Sequence, residues 1–376
     1  MKILQFGKLY PPSSIGGIET TIANITEGLN ESKISCDVLC CNSNNKYSEE
    51  KIENYQIIRA KSWFNLFSTY ISPQLISKLK EIQNNYDIIH VHLPDPMANL
   101  ALFLTKPKAK IIIHWHSDII KQKVILKFYK PLLKWLIKRA DLVITATPAH
   151  AKYSDFSDLF VHKIALIPFI YNEEQLNITP NKRFLSELGE KFQNKKVVFT
   201  LGRLIYYKGH EYLIKAANFL SEDYVILIGG EGVLREKLEK LIIKFNLQNK
   251  VYLLGRVPDE ELNVYYSFCN IFCFPSVYRS EMFGLVQLDA MHFGKPIVAT
   301  NIPRSGVPFV NIDGVTGLNV EPKNEKELAE AIEKICSNKE LYNKFSANAQ
   351  KIVKEKYSAK KIIKALVDVY QELLSR

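Results

Sequence analysis

The stretch FPSVYRSEMFGLVQLDAMHFGKPIVAT, residues 274–300, decides how this chain is read. It passes from the end of an apolar, strand-like run through a loop carrying Pro275, Ser276 and Gly284 into an apolar helical pattern. It closes on GKPIVAT, a turn followed by a second β-branched run. Strand, loop, helix and strand in that order form the unit from which parallel sheets are built. Glu281 and Asp289 stand eight positions apart among residues that otherwise read as core. A helix starting just after Glu281 would carry Asp289 about 12 Å further along its axis, at ~1.5 Å per residue. Two carboxylates spaced in this way suit a ligand with hydroxyl pairs at both ends, since each accepts two hydrogen bonds. The plainer alternative is a pair of solvent-facing acids on a surface helix.

The same alternation extends in both directions. KILQFG, CDVLCC, DIIHVH, KIIIHWH and DLVITAT alternate with helical patterns in the first half, and VVFTLG, YVILIGG, VYLLG, IFCFPS and PIVAT do so in the second. Two doubly wound α/β domains are expected, residues 1–175 and 176–357. From residue 325 only helical patterns remain, and residues 358–376 are expected to form a helix that packs back on the first domain. In sheets of this type ligands bind beyond the carboxyl ends of the strands, so chemistry belongs in the strand-end loops.

Composition narrows the function classes. The chain has 376 residues, 47% hydrophobic and 24% charged, which fits soluble globular domains and leaves no long disordered tract. Its six cysteines form no CxxC or Cys/His ligand spacing, in keeping with a reducing cytoplasm. No signal-like leader appears, nor any apolar run near the roughly 20 residues of a spanning helix. A formal charge of +11 favours an anionic partner. No nucleic-acid-binding signature accompanies it.

The loops hold the candidate residues. YPPSSIGGIET offers Gly16 and Gly17 where a strand enters a helix, so their amides can approach a phosphate; a tight turn is the alternative. The spacing is not GxGxxG, which weighs against a dinucleotide oxidoreductase. LGRLIYYKG puts Arg203 and Lys208 beside Gly202 and Gly209, two cations able to meet a diphosphate, and GGEG ends the next strand. HVH and HWHSD end two strands of the first half. A metal site there is weighed and set below a polar strand end at which His116 hydrogen-bonds a substrate. Residues 121–139 place Lys123, Lys127, Lys130, Lys134 and Lys138 at helical spacing, a basic amphipathic helix suited to an anionic membrane, with Pro131 expected to split it.

GGIE, HWHSD, GRLIYYKG, LLGRV, the opening stretch and DGVTGL occur in the order seen in retaining glycosyltransferases of family 4, which have the GT-B fold, and the resemblance spans nearly the whole chain. It implies two Rossmann-like domains facing across a cleft. It implies that Gly16 and Gly17 face the donor diphosphate, that His116 lies near the donor hexose, and that Arg203 and Lys208 neutralise the leaving diphosphate. Arg256 and Val257 fall where the family contacts the base, and Glu281 matches the first acid of its E-x7-E motif, which holds the sugar. Amides around Met282, Phe283, Gly284 and Leu285 would meet the phosphates. Asp289 departs from the pattern, which has a second Glu for the ribose, and IPFIYN departs from the usual interdomain loop, leaving Phe169 to Asn172 as donor contacts.

The resemblance implies front-face transfer with retention, the leaving phosphate helping to take the acceptor proton. The chain has no DxD, so no metal and no cofactor are expected. HSDIIKQK resembles members that build O-antigen or capsule repeats, including mannosyl- and rhamnosyltransferases. That ranks GDP-mannose ahead of UDP-hexoses as donor. It makes a polyprenyl-diphosphate-linked or other glycan the acceptor, and places the protein in the cytoplasm, peripherally on the inner face of the membrane. The alternatives carried are a nucleotide-sugar epimerase of similar fold and a non-catalytic nucleotide-sugar-binding protein.

Overall fold

The computed structural model describes residues 1–12, 16–67, 69–119, 123–171, 173–176 and 179–376. The chain divides into two compact units, Met1–Ile170 with Ala359–Arg376, and Tyr171–Ser358. Lys121, Gln122 and Asn172, which belong to segments singled out in the sequence, lie outside the described residues.

The first unit contains β1 (Lys2–Gly7), β2 (Ser35–Cys41), β3 (Ser48–Ile52), β4 (Tyr55–Ala60), β5 (Phe64–Leu66), β6 (Thr69–Ile71), β7 (Ile88–Leu93), β8 (Lys110–Trp115), β9 (Leu142–Thr145) and β10 (Ile164–Leu166). Eight of them form one sheet in the order β10-β9-β8-β7-β1-β2-β4-β3, while β5 and β6 pair separately. All neighbours in the large sheet run parallel except β3 with β4. The antiparallel edge strand β3, SEEKI, exposes Glu49, Glu50 and Lys51, charges that keep a sheet edge from pairing further. Central strands are largely apolar on both faces because helices cover both, with Gln5, Asp37, His90, His92, His114 and Thr145 among the buried polar exceptions.

The final helix, Ala359–Ser375, belongs to this unit. Its Ile362, Ile363, Leu366, Tyr370 and Leu373 recur at helical spacing and join Ile3, Ile25, Leu29, Ile112 and Ile144 in one core. It lies close to the helix Gly17–Glu31, because a Cβ at Gly28 would sit 2.6 Å from Ile363 Cγ1. The helix Lys123–Arg139 runs unbroken through Pro131, contrary to the expected split. Pro131 is on the exposed side, where the carbonyl it leaves without a donor is open to water.

The second unit contains β11 (Lys196–Leu201), β12 (Tyr224–Gly229), β13 (Val251–Gly255), β14 (Ile271–Phe274), β15 (Ile297–Thr300) and β16 (Gly317–Val320). Their order is β13-β12-β11-β14-β15-β16, all parallel. The order reverses between β11 and β14, so the crevice of this sheet opens beyond the ends of those two strands. Removing the Leu366 side chain, which is fully buried, opens a cavity in the core that ties the chain's end to its beginning. Leu366→Ala is expected to cost about 2–5 kcal/mol, read as a lower urea midpoint; an unchanged midpoint would mean the last helix contributes nothing to the unit's stability.

Candidate functional site

At the switch point of the second sheet, the loop after β11 holds Arg203 and Lys208, and the loop after β14 holds Ser276 and Glu281. Two glycines let these loops meet. Gly209 has φ +68, and a Cβ on it would lie 2.0 Å from Pro275 O. Gly230, after β12, has φ +136, and its Cβ would lie 2.0 Å from Gly202 O. Any side chain would push these loops apart. Val277 N–H donates to Tyr207 O at 2.8 Å and closes the junction.

Across it, Lys208 Nζ lies 2.5 Å from Glu281 Oε2, with only 14% and 11% of the side chains exposed. The Lys208 stem passes over Gly202, and its ammonium stands 5.1 Å from the Phe274 ring. Ser276 Oγ donates to Glu281 Oε2 at 3.2 Å, and Ser305 Oγ donates to the Glu281 carbonyl. The carboxylate is held by a cation and a hydroxyl, and its backbone by a second hydroxyl. Arg203 is exposed and donates to Tyr207 OH at 3.3 Å. Arg256 is exposed just beyond β13, whereas Val257 is buried, and a Cβ at Gly229 would lie 2.9 Å from its Cγ2.

The helix does not start just after Glu281, contrary to the expectation from the sequence; it is Val286–His292. Gly284, at φ +78, turns the chain before it, and a Cβ there would lie 2.6 Å from Phe274 Cζ. The 281–289 separation is therefore not a simple helical rise. Met282 O accepts from Gly306 N at 2.9 Å, Phe283 is buried, and Leu285 is the residue before the helix. Asp289 is half-buried on that helix and accepts from Tyr266 OH at 3.4 Å. Burial pushes its carboxyl up to about 7, against which the Tyr266 hydrogen bond pulls. The two acids thus occupy different environments.

In the first unit β7 and β8 pair with His92 opposite His114. His90, His92, His114 and His116 form an array with near-parallel rings, interplanar angles 9–28°. Phe169 stacks on it, 5.2 Å from His116 and 5.6 Å from His114. Burial drives all four imidazoles below their usual range, to about 3 for His114, so they are neutral. Neutral rings and one glutamine then fix the proton positions. His92 Nε2 lies 2.7 Å from Gln5 Oε1, an acceptor, so His92 carries its proton there. Its Nδ1 must accept, and His116 Nε2, 2.9 Å away, donates to it. His116 is left with Nδ1 as a lone-pair acceptor. Tyr370 OH, 2.7 Å from His90 Nδ1, anchors the far side.

This array is poorly suited to a cation. The available atoms of His90, His92 and His114 are separated by up to 4.8 Å, against about 3.4 Å between nitrogens around a tetrahedral zinc. Both nitrogens of His92 are engaged. Asp118 accepts from Trp115 Nε1, Ser154 Oγ and Asp155 N, which makes it a loop tie rather than a ligand. Gly16 is extended at φ −148 and caps the helix beginning at Gly17, so no left-handed turn requires it; Ser13–Ile15 lie outside the described residues.

Sequence reading missed Gln5, Ser276, Ser305 and Tyr370. Gln5 had a signal, a polar residue inside the buried strand KILQFG. Ser305 and Tyr370 had none, because their partners are distant in sequence.

With this geometry in place, comparison with known proteins is direct. Residues 15–168 match "Glycosyltransferase Family 4" and residues 181–352 match "Glycosyl transferases group 1". The chain belongs to family 4 of the glycosyltransferases and has the GT-B fold. It is 29% identical over 374 residues to the O-antigen chain mannosyltransferase C of Escherichia coli, covering 100% of this chain and 99% of that one. It is 29% identical over 359 residues to the D-rhamnosyltransferase WbpZ of Pseudomonas aeruginosa, covering 96% and 93%. Anabaena Alr3699/HepE, solved in complex with UDP, superposes with a TM-score of 0.79 at 20% identity, over 99% of this chain and 100% of that one. The epimerase alternative falls with this membership.

Asp289 and His116 give two expected outcomes. A carboxyl whose folded value exceeds its unfolded one binds more protons when folded, so Asp289 contributes most below about pH 4 and loses that contribution as pH rises to about 7. Asp289→Asn should flatten this part of the stability profile and melt higher than wild type at about pH 7.5 in the absence of ligand. Identical pH slopes for the two proteins would place the carboxyl in water. For His116, nitrogen-15 spectra should show the Nε2–H neutral tautomer from about pH 5 to 8; an imidazolium or Nδ1–H form would break the assigned chain of donors.

Proposed function

We propose that this glycosyltransferase moves a hexose, mannose ahead of other sugars, from a nucleoside diphosphate to a hydroxyl of a lipid-linked glycan, with retention, in the synthesis of an O-antigen or capsule polysaccharide. The mannosyl- and rhamnosyltransferase relatives support the sugar and the pathway class, and the UDP complex of the structural neighbour supports a nucleotide-linked donor. GDP-mannose stays ahead of UDP-hexoses on the relatives' sugars. The observation that carries the reading is the Lys208–Glu281 pair at the switch point, an anion site and a hydroxyl acceptor held in contact.

In the proposed reaction the bond from the anomeric carbon to the diphosphate oxygen breaks, and a bond to the acceptor oxygen forms on the same face. The acceptor proton passes to the departing diphosphate oxygen. Lys208 and Arg203 balance the charge that grows there, each worth on the order of 3–4 kcal/mol in the transition state. With no DxD in the chain, these cations and the glycine-loop amides take the place of a metal. Glu281 accepts from hexose hydroxyls, and Lys208 keeps that carboxylate oriented until the diphosphate competes for its ammonium. His116 Nδ1, an acceptor by the tautomer chain, suits a hexose hydroxyl. Asp289 is assigned to the ribose, and Gly16, Gly17, Arg256, Val257 and residues 282–285 to the diphosphate and base.

We also assign the acceptor to a membrane. No described helix is long and apolar enough to cross a bilayer. The exposed face of the helix Lys123–Arg139 carries Lys127, Lys130, Lys134 and Lys138 and the helix has no acid. Near an anionic leaflet each lysine contributes about 1 kcal/mol. This basic face supports the proposal that the protein binds peripherally at the inner face of the cytoplasmic membrane.

Glu281→Ala should lower turnover by roughly two to three orders of magnitude while nucleoside diphosphate affinity holds or rises, since Lys208 loses its competitor. Lys208→Ala should weaken that affinity about tenfold or more. The assay is sugar transfer from GDP- and UDP-hexoses in EDTA, with titration calorimetry for binding. Loss of nucleotide affinity alone in Glu281→Ala would remove Glu281 from the hexose, and strict dependence on magnesium would remove the metal-free mechanism.

A further inference from the structure

The first unit carries an apolar surface that its own core does not use. Trp63 stands directly before the β5–β6 hairpin; it, Phe64 and Leu66 are 59%, 53% and 49% exposed, and Phe67 is 60% exposed. Isolated exposed apolar residues are ordinary, but a cluster of large ones on a short hairpin marks an interaction site. The root of the hairpin is fixed. Trp63 N donates to Ile71 O at 2.9 Å, and Tyr70 packs against the main core of the unit.

The surface continues onto neighbouring elements. The helix Pro96–Thr105 touches β6 and turns Leu100, Phe103 and Leu104 outward, positions i, i+3 and i+4 of one helical stripe. Phe103 meets Trp135 edge to face at 5.0 Å, which joins this stripe to the basic helix Lys123–Arg139, where Phe128 is 84% exposed. Trp63–Ile71 and Pro96–Thr105 contain no charged residue, and the bordering basic helix contains no acid. Uncharged aromatic surface bordered on one side by a helix whose only charges are basic is complementary to an anionic bilayer: hydrocarbon takes the rings, and phosphates take the ammonium groups.

We propose that the β5–β6 hairpin enters the hydrocarbon of an anionic bilayer, with Leu100, Phe103 and Leu104 at headgroup level and the lysines of Lys123–Arg139 on the lipid phosphates. This rests on the peripheral-membrane part of the proposed function and adds the element that enters the lipid. Aromatic side chains suit that depth because their rings are apolar while the Trp63 indole N–H still finds a polar partner near the interface.

The chain supplies its own probe. Of its three tryptophans, Trp115 is buried and Trp135 half-buried, so the emission lost in Trp63→Phe reports the hairpin. The full chain is sedimented with phosphatidylcholine vesicles, with and without phosphatidylglycerol, and emission is read with plain and brominated acyl chains. Expected is binding that requires phosphatidylglycerol, with the Trp63 component blue-shifted and quenched by bromine. Phe64→Ser/Leu66→Ser should reduce the bound fraction about tenfold or more with its melting curve unchanged, and Lys130→Glu/Lys134→Glu should reduce it most at low salt. Vesicle binding with unquenched Trp63 and an unaffected hairpin variant would overturn the hairpin proposal and leave the membrane reading standing. No binding of the wild type to either vesicle would overturn both. A lipid-free dimer that the hairpin variant converts to monomer would instead make this a self-association face and overturn the proposal.

Discussion

The second unit is organised around a close approach of backbones. Gly209 against Pro275 and Gly230 against Gly202 leave no room for a Cβ, and this brings the loops after β11, β12 and β14 into one cluster. The Lys208–Glu281 pair is the consequence. A mostly buried ion pair is poor stabilisation by itself, since desolvation offsets the attraction, and loss of one partner strands the other at about 3–5 kcal/mol. Under the proposed function such a pair is a site held ready: a ligand that supplied phosphate to the lysine and hydroxyls to the carboxylate would replace each partner without leaving either charge bare.

The first unit meets a different constraint, the burial of four imidazoles on one sheet face. Burial disfavours the charged form of each ring, and charged neighbours would repel in addition, so all are neutral, and neutral rings must be ordered as donors and acceptors. Gln5 supplies the direction and Tyr370 the far anchor. The last helix of the chain therefore fills the core beside the helix Gly17–Glu31 and also reaches the hydrogen-bonded chain that ends on His116.

The membrane-facing reading of this unit rests on surface rather than core. Lysines on one helix face confer attraction at a distance but no depth, and uncharged rings confer depth but no attraction. Their adjacency through the helix Pro96–Thr105 combines the two on one domain. An acceptor tethered to lipid would then meet the enzyme as a reactant confined to a surface.

Much of the architecture was legible in the residues alone. Alternation of β-branched runs with helical stripes specifies parallel sheets because it is set by local periodicity, and strand-end glycines specify where backbones come close. Arg203, Lys208, His116 and Glu281 stood out for the same reason, being polar residues at predictable strand ends. Tertiary structure decided what periodicity cannot encode. It placed Glu281 in a loop ahead of its helix, because Gly284 must turn under Phe274. It kept Lys123–Arg139 whole through Pro131, because that carbonyl faces water. It also chose the partners of Ser305 and Tyr370, 24 and 280 positions away, since contacts of such separation depend on how elements pack and leave no mark in local sequence.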